Sequence, residues 1–147
     1  MNVKMVTNVK IKKLNDDAII PKKAHPTDAG FDLVATSKEW DKDNECWSYG
    51  TGLAIEIPKG WVGLLFPRSS IFKTGMILSN HVGVIDSAYR GEIMLKFRQL
   101  SAYKPEYSIG DRVGQLILIP YPEINLVESD TLSDSDRGEG GFGSSGK

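Results

Sequence analysis

The amino-acid sequence predicts an all-β fold, either a sandwich, a jelly roll or a barrel. Apolar and polar residues alternate with a period of two along much of the chain, which is typical of half-buried strands. Turns rich in glycine, proline and aspartate separate these short segments. With 147 residues, 40% of them hydrophobic, the chain is long enough to form one domain with its own core.

The predicted strands follow one another from the N-terminus. They cover residues 3–11, 53–57, 61–66, 92–100 and 113–119. Pro58-Lys59-Gly60 has the composition of a tight turn and predicts a hairpin between the second and third strands. Residues 108–111 predict another turn, and Pro120 is expected to end the last strand.

One segment breaks the strand pattern. Residues 69–75 begin with two serines and end with a glycine, which predicts a single helical turn with a serine as its N-cap. Arg68 precedes it. Free N–H groups, hydroxyls and a guanidinium could bind a phosphate, but a capped connector with an incidental arginine explains the pattern equally well.

Composition and charge exclude several classes of function. The net charge of −1 provides no basic field for a nucleic-acid polymer, although local cations could still bind a small anion. One cysteine, Cys46, and two histidines argue against a disulfide framework and against a zinc site of the usual ligand types. No membrane span or signal-peptide core is visible, so we expect a soluble, cytoplasmic protein with no membrane partner.

Acidic residues next to glycines supply the first candidates for chemistry. Asp86 follows an apolar run between Gly83 and Gly91, where a carboxylate could deprotonate a water. The alternative is an aspartate that initiates a turn, with Tyr89 packed beside it. Asp28 and Asp32 flank a glycine in the same way, and could either hold a metal-bound water or cap a turn.

The C-terminal segment differs from the rest of the chain. We divide the protein into a folded domain, residues 1–130, and a flexible glycine-rich arm, residues 131–147. The arm carries Arg137, Phe142 and two hydroxyls among glycines, which would suit a clamp on a nucleotide. A solvated tail would have much the same composition.

Together these segments resemble the five sequence motifs of the homotrimeric dUTP diphosphatase (dUTPase) family. The five matching ranges, in order, are residues 28–33, 67–70, 80–91, 110–115 and 137–146. The resemblance implies a jelly-roll-like β-barrel with one short helix and a flexible C-terminal arm. It also implies hydrolysis of dUTP to dUMP and pyrophosphate, which supplies dUMP for thymidylate synthesis and keeps uracil out of DNA.

The resemblance further implies a role for each matching residue. Asp86 would be the general base that activates a water for attack on the α-phosphorus. The implied substrate-binding residues are Arg68, Ser69, Ser70, Asn80, Val84, Ile85, Tyr89, Met94, Gln115, Arg137, Phe142, Gly143, Ser144 and Ser145. Mg²⁺ would enter on the triphosphate, with Asp32 reaching it through water. The assembly would be a homotrimer that exchanges its arms between subunits.

Two departures from the family pattern keep alternatives open. The family more often has an acid where this chain has Ala88, and Ser-Gly where it has Ser69-Ser70. The second departure resembles the dCTP deaminases, which share the fold. Their catalytic glutamate would fall at about Lys96, however, which is not an acid. The third alternative is a regulatory nucleotide-binding protein that has kept the fold.

Overall fold

The computed structural model describes residues 6–146, which form ten strands and one short 3₁₀ helix. The strands are β1 (Lys10–Lys13), β2 (Phe31–Val34), β3 (Ser37–Asp41), β4 (Cys46–Gly50), β5 (Leu53–Glu56), β6 (Trp61–Phe66), β7 (Met76–Leu78), β8 (Gly83–Ile85), β9 (Met94–Gln99) and β10 (Arg112–Pro120). The 3₁₀ helix covers Ser69–Lys73, between β6 and β7.

The strands form two four-stranded antiparallel sheets and one small two-stranded sheet. The larger sheets have the orders β2-β10-β6-β8 and β3-β4-β9-β7, and β1 pairs with β5. In both large sheets, strands distant in sequence are neighbours, as in a jelly roll rather than a simple meander. The prediction of an all-β, jelly-roll-like fold is confirmed.

The core lies between the two large sheets. Tyr49 and Phe97 are fully buried and pack edge-to-face with Tyr107, at ring-centroid distances of 5.6 Å for Tyr49–Phe97 and 5.4 Å for Phe97–Tyr107. Gly114 lets the sheets approach, because a Cβ there would lie 2.4 Å from the Leu95 side chain. The inward alternation predicted for the β9 region is confirmed, since Ile93, Leu95 and Phe97 are buried whereas the residues between them, Met94 and Lys96, are exposed.

Three local predictions need correction. Residues 3–5 lie outside the described residues, and from residue 6 onward the first strand covers only Lys10–Lys13. The strand is short because its partner β5 offers only four residues for pairing. Pro58-Lys59-Gly60 does form a turn, with Gly60 at φ +80°, but not a hairpin, since β5 and β6 belong to different sheets.

The predicted serine cap on the helical turn is also wrong. Arg68 occupies the N-cap position and makes no side-chain capping bond, because a guanidinium has no acceptor. At the other end the cap is Thr74 rather than Gly75. No helix among residues 6–146 is long and apolar enough to cross a membrane.

Candidate functional site

The first part of the site is a cleft of about 360 Å³ between β8 and the start of β9. We call it the base cleft. The predicted site residues on its wall are Asn80, Val84, Ile85, Asp86, Tyr89 and Met94. Ile85 is buried while Val84 is 63% exposed, as the alternation of a strand requires. β8 is also the edge strand of its sheet, so one side of its backbone is not paired with another strand of that sheet.

The side chain of Tyr89 is held in place by the loop that follows it. Its hydroxyl donates a hydrogen bond to the backbone oxygen of Glu92, at 3.0 Å. This fold-back requires a glycine at position 91, where a Cβ would lie 2.4 Å from the Tyr89 hydroxyl. The ring therefore keeps a fixed position at the rim of the base cleft, where it can pack against a flat ligand.

Asp86 stands just after β8, where the chain turns, and its backbone oxygen accepts a hydrogen bond from Tyr89 N at 3.1 Å. The side chain is exposed to the base cleft. None of the ion pairs found among the described residues involves Asp86. Its carboxylate is thus available to accept a proton from a water in the cleft.

A second cleft, of about 300 Å³, contains the residues predicted to hold phosphates. We call it the phosphate cleft; Arg68, Ser69 and Gln115 line it. Gln115 donates to the backbone oxygen of Pro67, at 3.1 Å, and its side chain lies against Gly30. A Cβ at Gly30 would come within 2.2 Å of the Gln115 amide oxygen, so this glycine makes room for the amide.

The two acids near Gly30 behave differently. Asp28 accepts a hydrogen bond from His25 N at 2.9 Å, which is the turn-capping alternative. Asp32 instead forms ion pairs with Arg68, at 3.2 Å, and with Arg112, at 3.1 Å. Adjacent strands bring this cluster together, because Asp32 on β2 is paired in register with Gln115 on β10.

The sequence analysis gave no role to Arg112. The signal was its position within the fourth matching range, three residues before Gln115. No group of three or more potential metal-ligating His, Cys, Asp or Glu side chains occurs in the part of the chain that the structure describes.

The two clefts lie toward opposite ends of β6 and share no lining residue. Ile85 pairs with Gly63, so Asp86 follows beside the start of β6, whereas Arg68 follows its end. Six residues of extended chain separate these positions, a distance of about 20 Å. Within one chain, Asp86 and Arg68 therefore lie in separate clefts at opposite ends of β6.

The arm lies apart from both clefts. Residues 121–146 contain no helix or strand, and hydrogen bonds of residues 123–146 join only residues within that segment. Arg137 donates to the backbone oxygen of Gly140 at 2.7 Å, and the Phe142 side chain is completely exposed. The predicted clamp residues, including Gly143, Ser144 and Ser145, are therefore not brought to either cleft within one chain.

Comparison with known proteins identifies the family. The dUTPase family model matches residues 16–146, most of the chain. The chain belongs to the dUTPase family. It is 40% identical over 143 residues to a deoxyuridine 5'-triphosphate nucleotidohydrolase of Rhodococcus erythropolis, covering 95% of this chain and 86% of the relative. A protein of the same name from Nautilia profundicola is 41% identical, covering 95% of this chain and 99% of the relative.

A solved dUTPase structure shares the fold over nearly the whole chain. It is the G164S mutant of the Staphylococcus bacteriophage 80alpha dUTPase with dUpNHpp, with a TM-score of 0.80 and 26% sequence identity. The match covers 97% of this chain and 100% of the phage protein. The family membership predicted from the five motifs is thus confirmed, and it extends to the arm.

Proposed function

We propose that this dUTPase-family protein hydrolyses dUTP to dUMP and pyrophosphate, with Asp86 as the general base. The observation that carries the proposal is the exposed carboxylate of Asp86, which lines the base cleft and is free of ion pairs within residues 6–146. Asp86 accepts a proton from a water, and the water oxygen bonds to the α-phosphorus. The bond from the α-phosphorus to its bridging oxygen breaks, and the electron pair leaves with pyrophosphate.

The base cleft selects the nucleoside. The Asn80 amide and the backbone of Val84 and Ile85 face the edge of the base. A base with a different pattern of donors and acceptors would leave these polar groups unpaired and would therefore bind more weakly. Met94 packs against the base, and Tyr89 packs under the deoxyribose. A ribose would bring its extra hydroxyl against the fixed tyrosine ring.

The phosphate cleft holds the charged part of the substrate. Arg68 supplies a guanidinium, Ser69 supplies a hydroxyl, and Gln115 supplies a neutral amide donor. Ser70 supplies a second hydroxyl from a neighbouring cleft that Arg68 also lines. This set neutralises and orients the phosphates without forming a covalent bond to them, which is what phosphoanhydride hydrolysis requires.

Mg²⁺ enters the site as part of the substrate, Mg–dUTP. Each carboxylate oxygen of Asp32 accepts from one arginine. A water-bridged contact fits, since a carboxylate has about four acceptor positions and two are in use. The ion, when bound, would neutralise charge on the phosphates.

We infer that the complete site forms between subunits of a homotrimer. The separation of the base and phosphate clefts along β6 supports this, because one chain holds two incomplete halves. A symmetric assembly can bring the base cleft of one subunit to the phosphate cleft of the next. The arm of a further chain closes the site, with Arg137 and the 143–145 backbone on the γ-phosphate and Phe142 over the base.

The reaction is tested by incubating the protein with Mg²⁺ and each nucleoside triphosphate separately. We expect pyrophosphate from dUTP alone. Ammonia from dCTP would identify a deaminase, and binding without turnover would identify a regulatory nucleotide-binding protein. Either result would contradict the proposal.

The assembly is tested by sedimentation equilibrium, which should give three times the 16.2 kDa mass of one chain. A monomer that turns over dUTP at the same rate as the trimer would contradict a site shared between subunits. The proposed location is the cytoplasm, or the cytoplasm or nucleus of a host cell if the source is viral.

A further inference from the structure

We propose that Glu92 is a positioning residue for Tyr89, and that it thereby contributes to the exclusion of ribonucleotides. The inference rests on the function proposed above, in which the Tyr89 ring packs under the deoxyribose. Glu92 lines the base cleft and has no role in the reaction as proposed. Two of its acceptor groups, the backbone oxygen and the carboxylate, bind two different parts of the chain.

The first acceptor is the backbone oxygen of Glu92, which takes the hydrogen bond from the Tyr89 hydroxyl at 3.0 Å. The same peptide unit contains the N–H of Ile93, which donates to the backbone oxygen of Leu53 at 2.8 Å. Because a peptide unit is planar, the bond to Leu53 fixes the direction of the oxygen that holds Tyr89. The position of the tyrosine ring therefore depends on how this peptide unit is attached to the start of β5.

The second acceptor is the Glu92 carboxylate, which takes a hydrogen bond from Gly52 N at 2.8 Å. Gly52 lies in the short connection between β4 and β5. Gly50, at the end of β4, leaves room for the carboxylate, since a Cβ there would lie 2.6 Å from Oε1. A carboxylate accepts from a backbone N–H more strongly than a neutral oxygen does. The side chain of Glu92 therefore ties the peptide unit that holds Tyr89 to this connection.

Tyr89 requires this support because its ring is otherwise accessible to solvent. The residue is 47% exposed, and it lies in the loop between β8 and β9 rather than on a strand. An exposed side chain on a loop changes rotamer within nanoseconds unless a bond restrains it. A steric block against a 2′-hydroxyl works only while the ring stays in place. The two bonds made by Glu92 supply that restraint.

The test compares the affinity for dUpNHpp with that for UpNHpp, its ribonucleotide counterpart, by calorimetric titration. We expect the unsubstituted protein to prefer dUpNHpp. Glu92→Met has a similar volume but only a weak acceptor, and should reduce this preference by about 3- to 10-fold, the factor that one ordinary hydrogen bond contributes. Glu92→Ala is the second variant and has the same expected result. Glu92→Gln keeps an oxygen acceptor for Gly52 N, and should retain the preference.

A double-mutant cycle shows whether Glu92 acts through Tyr89. Tyr89→Phe keeps the ring but removes the hydroxyl that Glu92 binds, so it should reduce the preference by a similar factor. If both substitutions release the same ring, Tyr89→Phe/Glu92→Met should reduce the preference no further than the larger single effect. Additive effects would show that Glu92 acts by another route, and would overturn the proposal.

Ser37→Ala is the matched control for stability. The Ser37 hydroxyl accepts from Gly50 N at 3.2 Å, so it holds the same connection between β4 and β5 from its other end. We expect Ser37→Ala and Glu92→Met both to lower the melting temperature, and only Glu92→Met to change the preference for dUpNHpp. An unchanged preference in both Glu92→Met and Glu92→Ala would overturn the proposal, as would an equal loss of preference in Ser37→Ala.

The titrations require no turnover, so they separate this inference from the proposed reaction. Failure to hydrolyse dUTP, with the preference and its loss as expected, would overturn the reaction alone. An unsubstituted protein that binds both analogues equally would overturn the steric role of Tyr89, and with it the role of Glu92.

Discussion

Arg68 Nε donates to Asp32 Oδ1 at 3.2 Å, and this ion pair fixes the guanidinium at the wall of the phosphate cleft. Both side chains are largely buried, so the charges are screened less than those of a surface pair. Arg112 binds the other oxygen of the same carboxylate. Asp32 therefore sets the direction of two arginines.

The variant Asp32→Asn keeps an oxygen acceptor but removes the negative charge. We expect a fall of about 10- to 100-fold in kcat/KM for dUTP, since a hydrogen bond to a charged group contributes about 1.5–3 kcal/mol. Steady-state kinetics at several Mg²⁺ concentrations separate the possible roles. If Asp32 orients Arg68, KM for dUTP rises at saturating Mg²⁺; if it acts on the ion, the Mg²⁺ requirement rises instead. Wild-type kinetics would contradict both roles.

Replacing Asp86 by Asn should abolish turnover while leaving nucleotide binding intact. The amide has nearly the same shape but cannot take the proton of the attacking water, so we expect kcat to fall by several orders of magnitude. Pyrophosphate release measures kcat, and titration with dUpNHpp measures binding. Glu92→Gln is a useful control, since Glu92 also lines the base cleft. Near-normal rates in Asp86→Asn would show that another group is the base.

Deleting residues 137–147 should leave the folded body intact and remove most of the activity. Hydrogen bonds of residues 123–146 join only residues within that segment, so loss of residues 137–147 should not change the thermal unfolding curve. The lost activity reflects entry of bulk water and loss of Arg137. Phe142→Ala tests stacking separately, and should raise KM more than it lowers kcat. A truncated protein with full activity would exclude a role for the arm in closure.

Tyr49→Phe should lower the free energy of unfolding at neutral pH. It should also make that free energy fall less toward alkaline pH than it does in the unsubstituted protein. Burial raises the pKa of the Tyr49 phenol well above its usual value near 10, with the charges of Glu106 and Asp111 adding to the effect. Because the pKa is raised in the folded state, the contribution of the Tyr49 hydroxyl to the free energy of unfolding is fully present below pH 10. It falls above that value, by about 1 kcal/mol per pH unit, as the unfolded phenol ionises.

Urea unfolding of both proteins between pH 7 and pH 11 measures this difference. At pH 7 the variant should be less stable by about 1–3 kcal/mol, because the Tyr107 backbone oxygen loses its donor. The gap should narrow above pH 10. A gap that stays constant across this range would contradict the raised pKa.

Strand identity was predictable where one face is buried. The segment near β9 alternates because it contributes one side to the core between the sheets, whereas the segments near β6 and β10 are short apolar runs bounded by turn residues. The partner of each strand was not predictable in this way. Pro58-Lys59-Gly60 is a good hairpin signal, yet the turn passes between sheets, and only long-range packing decides that.

The candidate site also has features that the sequence predicted and features that it could not predict. The resemblance to the family motifs predicted its residues, and the structure gathers most of those outside the arm into a base cleft and a phosphate cleft. The ion pairs of Asp32 were not predictable, because Arg68 and Arg112 lie 36 and 80 residues away in sequence. The roles of the individual residues stay predictions until the variants above are measured.

The distance between Asp86 and Arg68 along β6 has a genetic consequence. For the proposed homotrimer, we expect a chain that lacks the carboxylate and a chain that lacks the guanidinium to be inactive when each is expressed alone. When the two are co-expressed, we expect some sites to combine one intact half from each chain. Such mixed oligomers would regain a fraction of activity, so two harmful alleles could complement each other. In the proposed trimer, selection therefore acts on the interface between two chains rather than on each chain alone.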